Sequence, residues 1–181
     1  MRTPFQPTQR GKRRTASLLI ALAMISAPVR ASSPLFLKVP FFPDKTDQCG
    51  PATLAGVLTF WGKPVQPAEL RQEMYLKKLH GTLPMDLVLT AKTHGLQTEM
   101  VRGDLDTLRT ELKAGRPVVV MLNNGFSAVP VDHFVIVTGV DDEKKGVLAH
   151  SAGKANQFIP FKKFMKVWEK TDYWTLLTRL P

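Results

Sequence analysis

One cysteine and four histidines are the residues in this chain best suited to nucleophilic chemistry. Cys49 stands in Asp47-Gln48-Cys49-Gly50-Pro51-Ala52, ahead of an apolar stretch. A cysteine attacks as its thiolate, and a helix N-terminus or a neighbouring histidine favours that form. Pro51 is tolerated in a first helical turn, so Cys49 has the helix terminus by position. The histidine must come from elsewhere in the chain. His80 and His94 each precede glycine at the end of a helical stretch, where a cation meets the helix dipole, and both read as surface caps. His133 opens the run His-Phe-Val-Ile-Val, and a polar residue at the mouth of a buried strand is more suggestive. His150 ends the next strand, beside Ser151. A cysteine with a histidine nearby would support nucleophilic chemistry. The plainer readings are a buried inert thiol and a hydrogen-bonded core histidine. One cysteine and two histidines make a thin zinc set, so no metal is expected. Neither is a cofactor, since no Gly-rich phosphate loop is present.

The elements that must position these residues follow from the apolar pattern. The segment Ser32–Asp47, with three prolines, reads as extended chain carrying one short edge strand. The stretch after Cys49 is apolar nearly all round and ends at Gly62, which predicts a buried central helix with Cys49 at its entrance. Further helices are predicted over Gln66–Leu79, Pro84–His94 and Asp104–Ala114, the last capped by Asp104. From Pro117 the pattern changes to β-branched runs: Pro117–Leu122, Asp132–Val140 and Gly146–His150 read as strands. Gln157–Pro160 and Trp174–Thr178 add strands, with a short helix through Phe161–Glu169 whose lysines form a solvated face. Helices first and strands second predict an α+β class with a mainly antiparallel sheet.

The chain has 181 residues, a length that suits one domain. Its formal charge of +10 is unevenly spread. Six of the 25 basic residues and none of the 15 acidic ones lie in residues 1–31, which leaves only +4 for the remainder. That mild balance does not call for a nucleic-acid partner. Met1–Arg14 is polar and basic, Ala16–Ala27 is apolar, and Val29-Arg30-Ala31 ends in a small-residue pattern. These features predict a signal peptide over residues 1–31, cleaved after Ala31, and a single domain over 32–181 in a periplasmic or secreted setting. Twelve apolar residues are too few for a membrane span.

Taken together, the Cys49 motif and its apolar helix, Gly95-Leu96, Leu105 and Leu108, the Pro117-Val-Val-Val strand and His133-Phe-Val-Ile-Val resemble the bacteriocin-processing, double-glycine-leader cysteine peptidases. The likeness is to free-standing, exported bacterial members of that group and covers roughly residues 36–178. It implies a papain-like fold, with the cysteine on a central helix packed against the sheet. It implies cleavage of a peptide or protein substrate through an acyl-enzyme, with Cys49 as nucleophile, His133 as general base and a preference for double glycine. Five or six residues before the cysteine the family carries a glutamine for the oxyanion hole, and this chain has Asp44 and Pro43 there. Gln48 is the nearby amide that could substitute. If the missing amide limits the reaction, Asp44→Gln raises activity. The family's orienting aspartate falls where this chain has Ala149, His150 and Ser151, which makes His150 and Ser151 the candidates for holding His133. With both positions altered, the alternative is a non-catalytic module of the same fold that binds a peptide or a secretion partner.

Overall fold

The computed structural model describes residues 35–44, 48–125, 129–151 and 153–181. The predicted signal peptide lies outside the described residues. The elements run β1 (Leu35–Phe36), α1 (Cys49–Phe60), α2 (Pro67–Met74), α3 (Pro84–Thr93), β2 (Gln97–Arg102), α4 (Leu105–Lys113), β3 (Val118–Asn123), β4 (Asp132–Asp141), β5 (Gly146–Ser151), β6 (Lys154–Pro160), α5 (Phe161–Glu169) and β7 (Trp174–Arg179). All the strand pairings are antiparallel, in the order β2-β7-β3-β4-β5-β6, with β1 paired to the far end of β4.

Alternate residues of the central strands enter two separate cores. Val119, Phe134, Ile136 and Leu176 pack against α1, α2 and α3. Val118, Val120, Val135 and Val137 pack with Leu108 and Leu112 of α4 and Phe164 and Trp168 of α5. A sheet covered on both faces needs apolar side chains at both parities, which is why these strands read as unbroken β-branched runs. The two helices on the second face are amphipathic by the same logic. On α5, Phe164 and Trp168 are fully buried while Lys162, Lys163 and Lys166 are exposed. Helix α4 starts where expected, because the Asp104 carboxylate accepts the Thr107 backbone N–H at 2.7 Å.

Two expectations needed correction. The helix predicted to reach Leu79 stops at Met74, and Tyr75 is extended. Leu70 and Met74 are its buried residues; further on, Leu79 is 60% exposed, so no packing sustains another turn. The chain instead folds into a tight loop closed by pairing of Leu76 with Gly81. The second correction is β2, which the apolar pattern did not mark. It is an edge strand of mixed polarity whose sole partner among the described residues is β7.

Candidate active site

Helix α1 opens at Cys49, and nine of its twelve residues, Gly50 through Leu58, are buried. Cys49 is therefore a half-buried residue at the point where the helix enters the core. Two contacts lock α1 to β4. The Thr53 hydroxyl donates to the Phe134 carbonyl at 3.2 Å. Gly56 lets the helix come close to the Ile136 side chain of β4 and to the Pro40 backbone: a Cβ there would lie 2.8 Å from both the Pro40 carbonyl oxygen and Ile136 Cδ1. The helix start is thereby held at the mouth of β4, where His133 sits.

Cys49 and His133 line a common cleft of about 830 Å³. One wall is the loop formed by residues 79–84. It sits over the first turn of α1 because Gly50 has no side chain; a Cβ there would come within 2.7 Å of Thr82. The opposite wall is the segment 130–134, whose approach is shaped by Asn123 accepting the Gly125 and Val131 backbone N–H groups. Leu79, Leu83 and Val131 are exposed along the rim. Cys49 and His133 also border a second, smaller chamber of about 20 Å³, room for roughly one water. Asp44, Cys49, His133 and Phe134 border both spaces.

Burial raises the Cys49 thiol above its ordinary pKa, and the Asp44 carboxylate adds to that rise. The backbone N–H of Phe134, and then those of Gly50 and Cys49, work in the opposite direction without cancelling it. His133 moves the other way. Burial disfavours its imidazolium and lowers its pKa, while Asp44 partly restores it. Both shifts favour the uncharged forms, a thiol on Cys49 and a neutral imidazole on His133. Asp44 Oδ2 lies 3.8 Å from His133 Nδ1, with side-chain exposures of 18% and 15%.

The remaining sequence candidates fall differently. His150 borders the smaller chamber, but its ring is committed elsewhere. Nε2 meets the Val39 carbonyl at 2.9 Å, and Nδ1 accepts the Asn156 backbone N–H at 3.1 Å. This fixes a neutral tautomer that donates from Nε2, and burial lowers the pKa accordingly. With both nitrogens engaged, His150 clamps the 39–41 segment to β5, helped by an edge-on contact with Phe41, and does not orient His133. Ser151 borders the same chamber. Gln48 is half-buried before α1 and lines neither space. Sequence reasoning missed His80, which lies on the cleft wall with a left-handed backbone (φ 49°) rather than capping a helix. It also missed the approach of Asp44 to His133; an acid five residues before the cysteine was the available signal. Among the described residues no three His, Cys, Asp or Glu side chains cluster to hold a metal ion.

Residues 36–175 match the sequence profile described as the Peptidase_C39 like family. The chain belongs to that family. The C39 fold is also found among solved structures. The peptidase domain of Streptococcus ComA, a bi-functional ABC transporter involved in a quorum sensing pathway, shares 21% identity at a TM-score of 0.67, covering 80% of this chain and 100% of that domain. A putative C39-like peptidase from Bacillus anthracis shares 18% at 0.66, over 83% and 99% of the two chains. A double glycine motif protease from an AMS/PCAT transporter, solved in complex with its leader peptide, shares 21% at 0.65, over 81% and 94%. A search of curated proteins finds no match. Membership of the C39-like family supports a peptidase-like function of the cysteine class. No helix among the described residues is long and apolar enough to cross a membrane.

Proposed function

We propose that this protein is an exported cysteine peptidase that cleaves a peptide through Cys49 and His133. The observation that carries the reading is the meeting of these two residues, 84 positions apart, on one cleft in a chain of a cysteine-peptidase family. A cleft of about 830 Å³ accommodates several residues of an extended peptide, and its Leu79, Leu83 and Val131 rim favours an apolar one.

The protonation states dictate the order of events. Neutral His133 takes the Cys49 proton as the sulfur attacks the scissile carbonyl, in the manner of a general base. The negative charge develops on the carbonyl oxygen near the start of α1, where the Cys49 and Gly50 N–H groups have no intrahelical partner. The His133 imidazolium then protonates the leaving amine, which departs and leaves a thioester on Cys49. Water attacks that thioester, His133 accepts its proton and returns it to the departing sulfur, and the acid product is released.

Export rests on the basic and apolar character of residues 1–31. The test uses peptides carrying Gly-Gly ahead of the scissile bond. Cys49→Ala is expected to abolish turnover and leave the melting temperature near wild type. The intact mass of protein recovered from the exported fraction should begin at Ser32, and wild type should carry an acyl adduct during turnover. Turnover retained by Cys49→Ala would reject the peptidase reading. Binding of the peptide without any hydrolysis by wild type would point to the non-catalytic module.

A further inference from the structure

We infer that Asp44 is the positioning acid of His133, delivered from the chain ahead of the cysteine rather than from the strand that follows the histidine. This role rests on the peptidase reading of the cleft. Asp44 Oδ2 is 3.8 Å from His133 Nδ1, and both side chains are largely buried. The other carboxylate oxygen faces the β5–β6 turn, where a Cβ on Gly153 would lie 3.9 Å from it. The carboxylate therefore stands between the imidazole and the end of β5. That is the side from which His150 and Ser151 border the chamber, whereas Ala149 packs into the core on the other face.

The segment that carries Asp44 is anchored for this purpose. His150 holds the Val39 carbonyl at 2.9 Å, Phe41 packs edge-on against His150, and the Leu37 backbone N–H donates to the Thr138 carbonyl at 2.7 Å. His150 thus acts on Asp44 through the backbone it clamps. Among the described residues, the other titratable groups that line the cleft and chamber with His133 are Cys49 on α1, His80 on the 76–83 loop, Asp132 beside it on β4 and His150 on β5. The Cys49 thiol and His150 are neutral in the resting site, and Asp132 is exposed at the strand mouth. Asp44 is the half-buried carboxylate in that set.

A contact of 3.8 Å is an ion-pair distance, longer than a direct hydrogen bond. It shortens when His133 takes the Cys49 proton, because the charge that Asp44 attracts exists only then. The stabilisation therefore falls on the charged stage of the reaction. The same carboxylate opposes a free thiolate on Cys49, which favours proton transfer during attack over a standing ion pair.

The test measures the His133 ring by NMR titration of its Cε1–H in wild type, Asp44→Asn and Asp44→Glu, with hydrolysis of the Gly-Gly peptides alongside. Removing the charge should lower the His133 pKa by about 1 unit, within the range for a neighbouring opposite charge. It should lower kcat at least about tenfold, and the acid limb of the rate profile should move down with the histidine. Asp44→Glu should hold the His133 pKa close to wild type. An unchanged His133 pKa in Asp44→Asn overturns the proposal. So does a rise in kcat, which would mean that a neutral amide is wanted there as an oxyanion donor. If Asp44→Asn fails to fold, a fall of about 1 unit in Asp44→Glu overturns it equally. The titration needs no turnover, so a wild type that cleaves nothing would reject the peptidase reading while leaving the Asp44–His133 pair measurable.

Discussion

Replacing Gly56 by alanine tests how tightly the cysteine helix is held against the histidine strand. In an isolated helix the change is favourable by roughly 0.8–1.0 kcal/mol, since alanine loses less backbone freedom than glycine. Here the added Cβ would lie 2.8 Å from Ile136 Cδ1 and 2.8 Å from the Pro40 carbonyl oxygen. Ordinary van der Waals contact begins near 3.4 Å. The helix must therefore retreat by about 0.6 Å or push two neighbours away, and one of those is backbone. Overpacking of this kind costs about 1–3 kcal/mol. The net expectation is a loss of roughly 1 kcal/mol, read by urea unfolding as a lower midpoint at unchanged slope. A paired Ile136→Val change removes the Cδ1 contact and leaves the Pro40 contact, so it should recover part of the loss. A coupling of about 0.5–1 kcal/mol between the two sites is expected. The same displacement would separate Cys49 from His133, and misplacement approaching 1 Å can lower kcat by roughly 10²-fold. A Gly56→Ala protein that gains the full ~1 kcal/mol of helix propensity and keeps its kcat would refute the close-approach argument.

Two further predictions concern protons. Iodoacetamide labelling of Cys49 should be slow near pH 6 and accelerate only above about pH 9, because burial and Asp44 hold the thiol protonated; fast labelling near pH 6 would show a standing ion pair instead. His133 and His150 both have pKa values below the ordinary histidine value, through burial in each case. The unfolded chain then binds more protons than the folded one, so stability is complete above about pH 6.5 and falls as the pH drops below it. Urea midpoints measured at about pH 7.5, 6.5 and 5 should decline in that order, and a flat profile would contradict the burial of both rings.

Local pattern made much of the scaffold readable. Asp104 marked the start of α4, the spacing of Phe164 and Trp168 marked the inward face of α5, and the β-branched runs marked β3, β4 and β5. Each is decided within a few residues, by capping or by side-chain period. Reading failed where neighbours distant in sequence decide. The edge strand β2 owes its existence to pairing with β7, so its own composition carried little signal. The chain beyond Met74 has helical spacing but nothing to pack against, and it became a cleft wall.

The site divides along the same line. The sequence alone determined that Cys49 heads a buried helix and that His133 heads a buried strand, since both follow from apolar periodicity around them. What those residues are next to depends on how distant parts of the chain pack. His150 looked free to serve His133, yet its ring is bonded to a carbonyl 111 positions away. Asp44 looked like an unsuitable oxyanion residue, yet the folded segment brings it to the imidazole. The resting protonation of the pair is likewise a property of packing, because desolvation and charge proximity depend on distances in space. Position along a chain does not fix those distances until the sheet has closed the two ends of the site together.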